Sequence, residues 1–314
     1  MVAILVLFLF FGLYQPRFFR YGNLINILRN SSDLVIISSG QMLALVIGGF
    51  DLSVGAVVAL SSITAALSMV GLMAIMPDQV ALVIAIGVIA ALLAGLVVGL
   101  VNGLCVALLK VNPFIVTLGT MSLASGLALY ITSGIPIYGM PEAFTPGFGQ
   151  ARWLGLPVSV YLTALIVVAM WWMLKWTKLG RYIYAIGGNI HAARVSGVRV
   201  NFYTVIAYAL CGLLAALTGV LLTSRVGSGE GTMGGEFIME SIAAAVLGGV
   251  SIGGGVGRVQ FVTLGAIFMV LVTNGMNLLR VDTKLQTIVV GVILIIAIAL
   301  DKFRRKSRLG RRPC

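Results

Sequence analysis

The chain has 314 residues, of which 60% are hydrophobic and only 10% charged, with 21 Lys and Arg against 9 Asp and Glu. Soluble domains carry roughly 25% charged residues, so a water-soluble globule, a disordered chain and a disulfide scaffold are excluded, and a polytopic membrane protein remains. The net charge of +12 is no nucleic-acid signature, because its clusters, Lys175–Arg199 and Lys302–Arg312, flank apolar segments as cytoplasmic loops do.

Apolar runs fall at 1–14, 33–50, 54–76, 80–109, 113–133, 157–176, 202–223, 237–250, 259–279 and 285–300. At about 20 residues per span they predict about ten transmembrane helices. The 39 glycines suit packed helices better than a porin barrel. The expected fold is all-α and polytopic with Gly-broken or re-entrant segments: a transmembrane domain over 1–303 and a basic cytoplasmic tail over 304–314. The first run is too short to span and lacks the basic n-region and cleavage site of a removable signal peptide.

Placing both basic clusters in the cytoplasm puts 177–200, Lys110 and the C-terminus there. It leaves 134–156, with Pro136, Pro141 and Pro146, as an irregular outer loop. The same count sets Arg17, Arg20 and Arg29 outside, against the rule. Either 17–32 is an interfacial segment or 33–55 is re-entrant. Ile47–Gly55 is echoed by Leu247–Gly255 at an offset of 200, and Asn102-Gly103 by Asn274-Gly275. This is the pattern of duplicated transporter halves, or chance in a Gly-rich chain.

Enzymatic signatures are missing. Gly248–Gly257 is Gly-rich but holds no Lys, so it is not a P-loop. His191 is the only histidine, and no metal cluster or nucleophile with a base is expected. Cys105, Cys211 and Cys314 are scattered and serve packing. Gly95, Gly99 and Gly103 form a double GxxxG ridge for close helix contact.

Acids inside spans carry a high energetic cost. Asp51, with Ser53, either lines a gate where glycines break a helix or caps the next helix. Glu236 and Glu240 share a helical face, with Glu236 expected at the outer mouth and Glu240 one turn deeper. They either meet a polar substrate or pair with Arg225. Arg152 and Arg225 either dock an acidic partner or are solvated loop charges. Asn102, Asn274 and Asn277 either bond substrate hydroxyls or tie helices together.

In Leu179–Val200 a short helix is predicted to start at Asn189, a good N-cap, and to stop at Gly197. With Ala192 and Ala193 exposed it is either a knob for a groove in another protein or a plain connector. Gly180–Asn189, followed by Ala192–Gly197, resembles the ATPase-coupling loop in permease subunits of bacterial ribose-type sugar ABC importers. Gly48–Gly55, Asn112–Gly119 and Ala244–Gly254 are similar to that family too, so the likeness runs from about Phe18 to Lys306. At Ile190-His191, relatives often carry Glu-Ala.

The resemblance implies an ABC importer permease in the bacterial inner membrane, with two permease chains, identical or paralogous, forming one pathway. ATP and Mg would sit on two cytoplasmic ATP-binding subunits, with no cofactor in this chain. A periplasmic sugar-binding protein would deliver a small sugar from above, and nucleic acid plays no part. Gly188, Asn189, Ala192, Ala193, Ser196 and Gly197 would couple to the ATPase. Asp51, Ser53, Asn102, Glu240 and Asn274 are the pathway candidates, and Arg152 and Arg225 those for docking the binding protein. The rival readings are an ATP-independent transporter or facilitator and a non-transport scaffold.

Overall fold

Apolar helices longer than a bilayer core dominate the chain. A computed structural model describes residues 2–309. Its helices are α1 (Val2–Tyr14), α2 (Tyr21–Val46), α3 (Val54–Ile75), α4 (Val80–Ala107) and α5 (Pro113–Thr132). A π-helical turn at Thr145–Gly149 and a two-residue hairpin, β1 (Arg152–Trp153) with β2 (Leu156–Pro157), come next. Then come α6 (Val158–Trp176), α7 (Lys178–Gly188), α8 (Ile190–Val195), α9 (Val200–Val226), α10 (Phe237–Leu247), α11 (Val259–Leu278) and α12 (Thr283–Leu309). Residues 310–314 of the expected tail, Cys314 included, lie outside the described residues.

Six helices (α3, α4, α5, α6, α9 and α11) are long and apolar enough to cross a membrane, and shorter apolar stretches lie in α1, α10 and α12. Together with α2 these are the helices on which the apolar runs fall. In the N-terminal region α2 is one helix of 26 residues that runs through both segments the sequence had set apart. Asn30, Ser31, Ser32 and Asp33 interrupt its apolar pattern, yet every residue from Ser31 to Val46 is buried. Neighbouring helices shield Ser31, Ser32 and Asp33 from lipid, where they would be destabilising.

Helix α9 is the centre of the bundle, with α2, α3 and α4 packed along it. Gly95, Gly99 and Gly103 of α4 face α9, where a Cβ on any of them would collide with the facing backbone. The GxxxG ridge therefore does the packing expected of it. Helices α2 and α9 are antiparallel: Gly40 lies against Cys211, and Asp33 meets Arg225 near the end of α9.

Two segments leave the helical pattern inside this frame, and their caps match. After α2, Ile47 N donates to Leu43 O (3.2 Å), Gly48 N to Leu45 O (2.9 Å) and Gly49 N to Ala44 O (2.9 Å). After α10, Gly248 N donates to Ala244 O (2.9 Å), Gly249 N to Val246 O (2.8 Å) and Val250 N to Ala245 O (3.0 Å). Gly48 (φ +85°) and Gly249 (φ +81°) occupy the left-handed position of each cap, where glycine carries no Cβ penalty. The echo thus superposes Ile47 on Gly248, one residue away from the register in the sequence. Its Asn-Gly half has no shared role, since Asn102 and Asn274 bond to different helices.

Between α9 and α10 the chain runs back into the bundle along α3. Glu230 N donates to Ser62 Oγ (3.1 Å), Gly234 abuts Val58, and Ile238 abuts Gly55. Val58 in turn lies against Gly219 of α9. Helix α10 therefore starts beside the first turn of α3, within the length of α9.

Candidate coupling surface and translocation residues

Helices α7 and α8 form a corner at one end of the bundle. The Thr177 hydroxyl caps α7 by accepting from Gly180 N (3.3 Å). Asn189 ends α7 and starts α8, its Oδ1 accepting from His191 N and Ala192 N (3.0 Å each). Gly197, at φ +79°, then turns the chain away, with Val198 N donating to Ala193 O (3.0 Å). Start and stop are those predicted. Ala193 corrects the expectation of exposure: it is 4% exposed and packs with Ile186 and Val200. The outward surface of α8 is instead Ile190, His191, Ala192, Arg194, Val195 and Ser196, with Val195 90% exposed. Six residues make under two turns, so one alanine must face inward. Lys110, Arg194 and Arg199 line an open hollow beside this face, giving it positive charge.

The corner is joined to both helix breaks through backbone. Gly187 sits where a Cβ would collide with Val46 O and approach Gly255 N to 2.5 Å. Gly255 N donates to Val46 O (2.8 Å), and the Tyr184 hydroxyl donates to Gly257 O (2.7 Å). Burial raises the Tyr184 pKa, which keeps that proton in place. Gly188, singled out in the sequence, has open space around it. Gly187 is the constrained residue of the pair. Spacing gives it no signal, because the crowding comes from Val46 and Gly255, distant in sequence.

Asp51 does not cap α3, whose N-cap residue Ser53 makes no side-chain cap hydrogen bond; it holds the turn before the helix instead. Its Oδ1 accepts from Ser53 N (2.9 Å), Ser53 Oγ (2.6 Å) and Asn102 Nδ2 (3.4 Å), at 1% exposure. Asn102 also donates to Ser53 Oγ (2.9 Å) and accepts from Thr120 Oγ1 (2.7 Å). Asp51, Ser53 and Asn102 thus converge, with Thr120 added, to fasten the first break to α4 and α5. Asn274 is elsewhere: it exchanges amide hydrogen bonds with Asn23 (2.9 and 3.2 Å), tying α11 to α2. Asn277 accepts from Gln286 Nε2 (2.8 Å). All three asparagines tie helices.

Arg225 does not pair with Glu236 or Glu240. Its guanidinium meets Asp33 at 2.9 Å and donates to Asn30 Oδ1 at 3.0 Å. Asp33 escaped notice in the sequence, although it sits four residues after Arg29 in a helical pattern. Arg152 is exposed, its guanidinium 5.4 Å from the Tyr21 ring centre. Of the two docking candidates, only Arg152 presents an open cation. Glu236 is exposed and Glu240 half-buried, and neither carboxylate has a cation partner among the described residues. No group of three potential metal ligands occurs among the described residues.

Known proteins of similar sequence point to one family. The family model described as branched-chain amino acid transport system, permease component, matches residues 23–298. The ribose import permease protein RbsC of Escherichia coli K12 is 39% identical, covering 96% of this chain and 92% of its own length. RbsC of Bacillus subtilis is also 39% identical, over 98% and 92%. The D-allose transport system permease protein AlsC of E. coli K12 is 34% identical, over 94% and 88%. No solved structure matches the chain. A likeness that runs through both helix breaks and the α7–α8 corner leaves one conclusion: the protein is a membrane permease subunit and belongs to the branched-chain amino acid transport system permease family.

Proposed function

We propose that the chain forms half of the membrane pathway of an ATP-driven sugar importer in the bacterial inner membrane. The observation that carries this is the α7–α8 corner. A capped short helix with an apolar tip projects from the bundle, while its root at Gly187 touches both Val46 and Gly255. Force applied to α8 reaches both helix breaks through backbone contacts that have no side chain to yield.

In this reading the positively charged α8 end faces the cytoplasm, where paired ATP-binding subunits grip Ile190, Ala192, Val195 and Ser196. ATP and Mg reside on those subunits, and no step of hydrolysis falls to this chain. The C-terminus lies on the same side. The 134–156 loop and Arg152 face the periplasm, where a sugar-binding protein docks. A second permease chain, identical or paralogous, covers α10. Glu236 and Glu240 then line the path at mid-depth, where intramembrane carboxylates face a water-filled route or a partner. Loaded binding protein and ATP must each prefer a different permease state for transport to be driven.

The test is Val195→Glu in the complete complex, reconstituted in vesicles with internal ATP. Residue 195 is exposed, so the chain still inserts, but ATP-dependent ribose or allose uptake is lost. Uptake that persists in that variant, or that needs no ATP in the unaltered complex, contradicts the assignment.

A further inference from the structure

Helix α2 carries a polar row through the interior of the bundle. Ser31, Ser32, Asp33, Ser38, Ser39 and Gln41 are all buried. Several are committed: Ser32 Oγ donates to Leu28 O (2.9 Å), Ser39 Oγ to Val35 O (2.7 Å), and Asp33 faces Arg225. Ser31, Ser38 and Gln41 differ, and of these Ser38 and Gln41 lie deepest. Both are fully buried, and among the described residues the Ser38 hydroxyl and both ends of the Gln41 amide lack a hydrogen-bond partner.

A serine in a helix readily places its proton on the carbonyl one turn back, as Ser39 does and Ser38 does not. A buried amide without partners is destabilising, and each such group calls for an explanation. The two residues are three apart and so neighbours on one helical face. Ile37, one turn before Gln41, shares a buried cluster with Ala243 and Ala244, which lie one turn beyond Glu240. Helices α2 and α10 are packed together. The open polar groups therefore lie on a helix that α10 packs against.

We propose that Ser38 and Gln41 form a hydroxyl-binding subsite for a sugar or similar polyol, engaged when α10 moves away from α2. This deepens the proposed transport function and rests on it. The amide offers one acceptor oxygen and two donor hydrogens beside a hydroxyl that does both. That set matches a vicinal diol, in which each hydroxyl donates once and accepts. Neither group is charged, so the subsite can hold a sugar briefly and release it.

The complete complex, with its ATP-binding subunits and binding protein, is reconstituted in vesicles and supplied with ribose, allose or arabinose. Gln41→Leu lowers the maximal uptake rate more than tenfold, and Ser38→Ala several-fold. The melting temperature of detergent-solubilised Gln41→Leu stays the same or rises, because no protein hydrogen bond is removed. Uptake at the unaltered rate in Gln41→Leu overturns the subsite alone. So does a fall in melting temperature alongside uptake, which would make the amide a fold-holding group bonded through buried water. If the unaltered complex moves none of the three sugars with ATP, the transport function itself falls, and the subsite with it.

Discussion

After α2 the chain leaves the helix through Ile47 and Gly48 and buries a carboxylate; after α10 it leaves through Gly248 and Gly249 and buries mostly backbone. The caps are the same hydrogen-bond pattern around a left-handed glycine. Beyond the caps the two segments diverge. Asp51, Ser53, Asn102 and Thr120 knit the first break to α4 and α5. In the second, the turn is held by Ser251 N on Val256 O (2.9 Å) and Gly254 N on Ser251 O (3.0 Å), with the Tyr184 hydroxyl on Gly257 O (2.7 Å). The first break is anchored and the second is held mainly by its neighbours, among them Val46 and Tyr184. The same cap thus leads into two differently filled segments, the difference lying in the side chains that follow it.

The largest expected effect tests that difference in filling. Asp51→Ala leaves the Ser53 amide, the Ser53 hydroxyl and the Asn102 amide facing an absent acceptor inside the bundle. Its cost is about 2–4 kcal/mol, read as a fall in melting temperature in detergent, since a buried donor without its partner keeps its desolvation penalty. Ser251→Ala, in the turn of the second break, changes stability by less than about 0.5 kcal/mol. Equal losses at both positions would erase the distinction.

The shared cap is tested next. Gly48 and Gly249 both have open space around a notional Cβ and positive φ, so alanine adds backbone strain and no clash. Gly48→Ala and Gly249→Ala each cost about 1–2 kcal/mol. A loss at one position only would show that the two caps are not equivalent. Smaller still is Thr120→Val, which removes one hydrogen bond to Asn102 and costs about 1 kcal/mol. A neutral outcome would place Thr120 outside the anchor.

Much of this is legible in the sequence, and the exceptions have physical causes. Apolar runs locate the helices because lipid tolerates few polar residues. Asn189 and Gly197 bound α8 because capping is local chemistry. Ser31, Ser32 and Asp33 look like an interruption of α2 until other helices shield them. The Arg225 partner is hidden because Asp33 lies far away in sequence, and no local rule joins the two. Asn102 and Asn274 look alike for pathway work, and only packing shows both tied to other helices. The burial of Ala193, the crowding at Gly187 and the open amide of Gln41 depend on tertiary contact, which spacing does not encode.

The central claim is that Gly187 carries motion from α8 to the helix breaks. The direct measurement is the number of sugars taken up per ATP hydrolysed by the reconstituted complex, for Gly187→Ala and for its neighbour Gly188→Ala. The expected result is that Gly188→Ala keeps the ratio of the unaltered complex. Gly187→Ala, whose new methyl would collide with Val46 O, assembles and hydrolyses ATP with the ratio reduced at least tenfold. An unchanged ratio in assembled Gly187→Ala would contradict the claim.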